Sequence, residues 1–282
     1  MVAVVRTVSP PSPPRLTQKP RLRRAIQGSW ELLTLPLLLF ILIPIASLFF
    51  HLTPADLVTG LEQAQVRQAI QLSLTTSLAT VVLSAALGTP LAYYLHRRAS
   101  RLARLIDTLV DLPIVLPPAV AGVALLTAFG RQGLVGRAMS PLGVTLPFTT
   151  AAVIMAQTFV AAPLYVKSAA LGFAGVDLEL RRAAALDGAN RWQVFQHVVV
   201  PLSWVSVLSG CLLTWARAMG EFGATIIFAG NFPGRTQTMP LAIYIGFEID
   251  LRVALTLSII LVAFSFVVLA LVRWVLNARL DR

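Results

Sequence analysis

Two opposite charges stand inside the apolar stretch Thr214-Trp215-Ala216-Arg217-Ala218-Met219-Gly220-Glu221-Phe222-Gly223-Ala224-Thr225. A charge within a membrane helix is expensive and therefore points to a role. Arg217 and Glu221 are four residues apart, so on a helix they share a face and can pair. Thr214 and Thr225 would extend that face with hydroxyls. Two readings stay open. The pair either ties this helix into its bundle, or its face lines a route across the membrane. In the second case the guanidinium fork suits an oxyanion, because it meets two oxygens at once. Glu221 would then temper the attraction and keep the ion from being trapped.

No other cluster suggests bond-making chemistry. His51, His96 and His197 are far apart, there is no HExxH pattern, and no Cys/His set has metal-ligand spacing. Cys211 is the only cysteine, which excludes a disulfide framework. The run Gly230-Asn231-Phe232-Pro233-Gly234-Arg235-Thr236 differs from a phosphate loop in its glycine spacing, its Arg in place of Lys and its lack of a strand–helix context. The expectation is a chain with no catalytic residue, no metal, no cofactor and no nucleotide site. Any uphill work must draw on energy from elsewhere.

The elements that position these residues follow from composition. Of 282 residues, 57% are hydrophobic and 12% charged, and mean hydropathy is +0.78. A soluble domain carries about a quarter charged residues, and disorder needs low hydrophobicity with high charge. Both are excluded, which leaves an integral membrane protein. The net charge of +11 lies between apolar runs rather than along one face, which argues against nucleic acid and for fixing of membrane orientation. Six stretches are long enough to span, near Trp30–Leu52, Ala69–Tyr94, Ile106–Phe129, Thr149–Phe173, Ser203–Ala229 and Leu251–Leu276. Continuous apolar runs call for helices, not alternating barrel strands. Pro36, Pro44, Pro90, Pro117, Pro118 and Pro163 predict kinks.

With the N-terminus inside, 17 Lys and Arg fall on the cytoplasmic side, 5 outside and 1 within a span. Both termini are therefore expected in the cytoplasm. Residues 1–28, rich in Pro and Arg and without the features of a secretory signal, read as a disordered basic cytoplasmic tail near anionic lipid. Residues 29–282 read as one transmembrane domain, with a cytoplasmic loop over 174–201. In that loop, Leu178 to Leu186 is rich in helix formers. Gly188 supplies a stop, and Pro201 suits the start of the next helix.

The same loop resembles the permease subunits of ABC importers. Their motif reads Glu-Ala-Ala, three residues, Gly, nine residues, then Ile-x-Leu-Pro. Here Arg182-Ala183-Ala184 stands at the first three positions, Gly188 follows at the right distance, and Val198, Val200 and Pro201 complete the pattern. The departure is Arg182 in place of Glu. The resemblance implies an all-α type I importer permease fold with six transmembrane helices. It also implies that this loop docks, as a coupling helix, into a cytoplasmic ATPase. Ala183, Ala184 and Gly188 would be close-approach positions, with Arg182, Asp187 and Arg191 as polar contacts around them. The segment from Ala216 through Phe228-Ala229-Gly230 to Tyr244 is similar to the molybdate/sulfate branch, and most like molybdate permeases.

That likeness implies a multi-pass inner-membrane homodimer in the lipid bilayer. It would work with two ATP-binding cassette subunits and an extracytoplasmic oxyanion-binding protein to import molybdate or tungstate. The alternatives are a sulfate or thiosulfate permease of the same type, and an ion-gradient-driven carrier. The carrier predicts paired inverted repeats, which the loop motif disfavours.

Overall fold

The computed structural model describes residues 20–97 and 100–280. Those residues are almost wholly helical: α1 Pro20–Phe50, α2 Pro54–Glu62, α3 Ala64–Arg97, α4 Arg101–Val115, α5 Pro118–Phe129 and a short α6 Gly136–Met139. After these come α7 Thr150–Ala174, α8 Leu178–Leu186, α9 Arg191–Val194, a π-turn over Phe195–Val199, α10 Val200–Met219, α11 Gly223–Ala229, α12 Met239–Ile249 and α13 Leu251–Leu280. The chain divides after Ser47 into two units. The first contains most of α1, whose helix runs through Pro36 and Pro44; residues 1–19 of the expected tail lie outside the described residues.

In the second unit, α3, α7 and α10 pack side by side as the central layer. The seam uses small residues. Along α3 the buried positions include Ser73, Thr76, Ser77, Thr80, Ser84, Gly88 and Ala92, spaced by three or four over most of the helix. Between membrane helices, small side chains let backbones approach and gain dispersion contacts that lipid cannot match. At Gly88 the approach is tight enough that a Cβ would lie 2.8 Å from the Tyr165 ring. Two buried hydroxyls of α3 are satisfied across the seam: Thr80 Oγ1 donates to Gln157 Oε1 at 3.2 Å, and Trp215 Nε1 donates to Ser77 Oγ at 3.0 Å.

Four helices are individually long and apolar enough to cross a membrane, and counting two bent pairs as spans brings the number to six. The third expected span, Ile106–Phe129, is one of those pairs. It breaks between α4 and α5, where the chain bends by 115°. The cause is the Pro117-Pro118 pair: a proline forces its predecessor out of the helical region, and Leu116 is extended at φ −62°, ψ 135°. The fifth span also differs from the expected Ser203–Ala229. Its helical run starts at Arg191, passes through the π-turn and stops at Met219. Pro201 lacks an amide proton, and its ring crowds the carbonyl four residues back. The wider π-turn just before it, with Val200 N–H donating to Phe195 O, is the local adjustment that lets the helix continue. The apolar helix α12 was not expected as a separate element.

Candidate functional site

The cytoplasmic loop is built almost entirely from its own sequence. Asp177 caps α8, its carboxylate accepting from Glu179 N–H at 2.9 Å. At the other end Gly188 N–H donates to Ala185 O at 3.2 Å and Ala189 N–H to Ala184 O at 3.0 Å. This crossed pair is the Schellman arrangement, and it puts Gly188 at φ +90°. A Cβ on Gly188 would meet nothing within 4 Å. Within this chain the glycine is thus required by backbone conformation, not by space. Two residues on, Asn190 Oδ1 accepts from Trp192 and Gln193 N–H, both at 3.0 Å, while Gln193 Oε1 accepts from Asn190 N–H at 2.8 Å. This capping box starts α9.

α8 buries no residue. Arg182, Ala183, Asp187, Gly188 and Arg191 are exposed, Ala184 is half-buried, and Leu186 is 88% exposed. Asp187, Gly188 and Ala184 line a shallow hollow of about 330 Å3 together with Gln193 and His197. Arg191 points elsewhere, into hollows bordered by α3. Sequence reasoning missed Arg181, which fastens α8 to the bundle. Its guanidinium donates to Phe173 O at the end of α7 and to His96 Nε2 on α3, the latter at 2.6 Å. Partial burial lowers its pKa from the usual arginine value, yet an arginine remains a cation in proteins.

Deeper in the bundle, Arg217 Nη1 lies 2.7 Å from Glu221 Oε2, so the two charges do pair. They do not share one helix. α10 ends at Met219, and Glu221 sits in the break before α11. There its other oxygen accepts from Ala224 N–H at 2.8 Å, satisfying an otherwise orphaned amide in the first turn of α11. The Glu221 side chain is 1% exposed and that of Arg217 33%. Arg217 therefore reaches the molecular surface, beside exposed Ala216 and Gly220. The threonines do not join the pair. Thr214, one turn before Arg217 on α10, is fully buried and donates instead to Ala161 O of α7 at 3.3 Å. Thr225 is fully buried in α11, with no hydrogen-bond partner for its hydroxyl.

A second charged cluster went unread in the sequence. Lys167, inside α7, lies 2.6 Å from Asp107 and 2.9 Å from Asp111 of α4. A lysine alone in an apolar helix and two aspartates four apart on another were the available signals. In the loop after α11, Phe232 O accepts from the amides of Arg235, Thr236 and Gln237 at 2.9–3.1 Å. Three successive N–H groups at the end of the loop thus converge on one of its own carbonyls. The loop is anchored to α3, where Ser73 Oγ accepts from Met239 N–H at 2.7 Å and Gln65 Nε2 donates to Gln237 Oε1 at 3.1 Å. Among the described residues, no group of three or more His, Cys, Asp or Glu is placed to hold a metal.

The described residues thus form a bundle of apolar helices with a short, exposed helix–turn between two of its candidate spans. The chain belongs to the family described as binding-protein-dependent transport system inner membrane component, whose profile matches residues 87–282. It is 38% identical over 234 residues to the probable transport system permease protein NifC of Clostridium pasteurianum, covering 83% of this chain and 82% of that one. It is 46% identical over 202 residues to the molybdenum transport system permease ModB of Mycobacterium tuberculosis, 71% of this chain and 76% of the relative. For ModB of Escherichia coli K12 the identity is 38% over 221 residues, 76% and 94% of the two chains. Among solved structures, it shares its fold with a chain of a bacterial ABC transporter that imports the acidic polysaccharide alginate. That match has TM-score 0.65 and 18% identity, covering 92% of this chain and 98% of the other. A chain of the MetNI methionine ABC transporter matches at TM-score 0.59 and 16% identity, covering 76% and 95%.

Proposed function

We propose that this chain is the membrane subunit of an ATP-driven importer of molybdate or tungstate. The observation that carries the proposal is the largely exposed α8–Gly188 hairpin, in which no residue of α8 is buried, taken with relatives named molybdenum transport permeases at 38–46% identity. A helix that buries nothing in its own chain, yet is capped at both ends and fastened by Arg181, is preorganised for a partner. The partner we assign is one ATP-binding cassette subunit per permease copy. Two copies of the chain would form a homodimer over two such subunits, with both termini on the cytoplasmic side. An extracytoplasmic binding protein would deliver the oxyanion. Arg182, Ala183, Ala184, Asp187 and Gly188 would face the ATPase, with Arg191 at the root of the hairpin.

In this scheme ATP hydrolysis happens on the partner, and this chain converts the closing of the ATPase pair into motion of its helices. Arg217 is the path residue that best fits an oxyanion, because it is the charged member of the buried pair that reaches the surface. Glu221 holds it in place and offsets its charge. Thr214 and Thr225 act by packing around that site, since their hydroxyls face protein.

The test is reconstitution of the permease with its ATPase and binding protein in vesicles loaded with ATP. Molybdate uptake should require ATP and all three components, and tungstate should compete. Uptake by the permease alone under a proton or sodium gradient would overturn the scheme. Preferential uptake of sulfate or thiosulfate would transfer it to the sister substrate.

A further inference from the structure

Where α3 ends, two surface hollows run into one another. The longer, of about 640 Å3, is floored by Ala85, Ala86 and Pro90 and walled by Trp192 and Phe195. The second, of about 390 Å3, is formed by Tyr93, Tyr94, Arg97 and Arg191; Pro90, Tyr93 and Arg191 belong to both. The two parts differ in chemistry. Thr89 is the polar side chain on the long floor, and its hydroxyl is turned inward, 2.6 Å from Ala85 O and 2.6 Å from the Tyr165 hydroxyl. That leaves an apolar trough along a membrane-spanning helix. Its other end is cationic. Arg97 lies over the Tyr93 ring at 5.4 Å and donates to the Tyr93 hydroxyl at 3.3 Å. Among the described residues, neither Arg97 nor Arg191 has a carboxylate within ion-pair distance.

Three aromatic residues with polar tips, Tyr93, Tyr94 and Trp192, gather at the junction, Trp192 being 62% exposed. Such side chains favour headgroup depth in a bilayer. An apolar trough that meets two unpaired guanidiniums at this depth matches one occupant: a diacyl lipid with an anionic headgroup. Basic hollows between membrane helices bind such headgroups, and arginine grips phosphate oxygens in pairs. A small free anion would leave the trough unfilled, and a neutral lipid would leave the positive charge uncompensated.

We infer that the joined hollows form a binding site for one anionic glycerophospholipid, its phosphate between Arg97 and Arg191 and an acyl chain along Ala86 and Pro90. Assignment to the cytoplasmic leaflet rests on the orientation given under Proposed function; binding itself does not. Lipid held here would touch both α3 and the root of the coupling hairpin, and so would brace the hairpin's attachment to the bundle.

The experiment is native mass spectrometry of the full-length permease, released from nanodiscs of equal phosphatidylglycerol and phosphatidylcholine. Wild type should retain phosphatidylglycerol over phosphatidylcholine. Arg97→Gln should reduce that preference about fivefold, the effect of one surface arginine on an anionic membrane contact. Ala86→Trp, at an exposed floor position, should lower retention of the lipid without touching either charge. Excess inorganic phosphate should leave the lipid in place. Equal retention of the two lipids by wild type, or an unchanged preference in Arg97→Gln, overturns the inference. Displacement by inorganic phosphate makes the site one for a free anion, and loss of the dimer in Ala86→Trp without lipid preference makes it a contact between copies; either result also overturns it. None of these readouts depends on the ATPase or on transport, so the inference and the transport proposal fail separately.

Discussion

The hairpin around Gly188 and the break around Glu221 both follow a helix that stops at or near a glycine, and they solve the resulting problem in opposite ways. After α8, Gly188 adopts φ +90° and the orphaned carbonyls of Ala185 and Ala184 are met by the amides of Gly188 and Ala189. Nothing outside 177–193 is needed for the turn itself. After α10, Gly220 stays at φ −90°, and a side chain bridges the gap: one Glu221 carboxylate oxygen meets Arg217 behind it and the other meets Ala224 N–H ahead. The hairpin places most of its side chains in solvent, where they cost little and are free for a partner. The break places a charge at 1% exposure, where it must be paired to persist.

The largest effect expected from breaking this contrast is at Arg217. Arg217→Ala strands the Glu221 carboxylate in the bundle, and removing one partner of a buried pair costs about 3–5 kcal/mol, discounted here because Arg217 is partly exposed. Thermal unfolding in detergent should show a clear drop. Adding Glu221→Gln should restore much of it, because no lone charge is left buried. If the double variant regains stability but not molybdate uptake, Arg217 serves the path; if uptake returns with stability, the pair is a packing device.

Smaller losses are expected at the hairpin, and they should appear in docking rather than in unfolding. A side chain at Gly188 strains the left-handed turn by about 1–2 kcal/mol. Gly188→Trp should insert normally and fail to copurify with the ATPase. Gly188→Asn should retain more ATPase than Gly188→Ala, since asparagine tolerates that conformation; equal loss in both would mean that contact area, not backbone, dictates the glycine. Asn190→Ala removes the cap of α9, worth about 1 kcal/mol, and should weaken copurification modestly.

The smallest pair of effects lies around the break. Thr214→Val loses its bond to Ala161 O, about 0.5–1.5 kcal/mol. Thr225→Val loses no hydrogen bond and removes a buried hydroxyl that has no partner, so the unfolding temperature should not fall below that of wild type. A strong uptake defect in a stable Thr225→Val protein would return that hydroxyl to the path.

The hairpin was legible because its determinants are adjacent. Helix formers from Leu178 to Leu186, with Gly188 placed to end them, gave α8 with the boundaries later observed. The third and fifth spans were legible only in part. Pro117 and Pro118 announced a kink, but the 115° turn depends on how α5 packs against α11, where Gly122 would clash with Ala224 if it carried a Cβ. Ala121 and Gly122 are buried there while Ala119 is exposed, so close packing uses those two small residues and not Ala119. The Lys167 cluster was missed because its aspartates lie 60 and 56 positions away in sequence, and spacing along one helix says nothing about which helix lies opposite.

Sequence alone determined the membrane setting, the helical class and the exposed hairpin, because hydropathy, charge placement and capping act over a turn or two of chain. Tertiary structure alone decided where the fifth helix stops, that Thr214 faces α7 and not Arg217, and that Arg97 and Arg191 meet beside one apolar trough. In each of these cases the deciding partner belongs to another helix, and in a lipid-solvated bundle the choice of neighbour rests on close fit and satisfied polar groups, which no local pattern encodes.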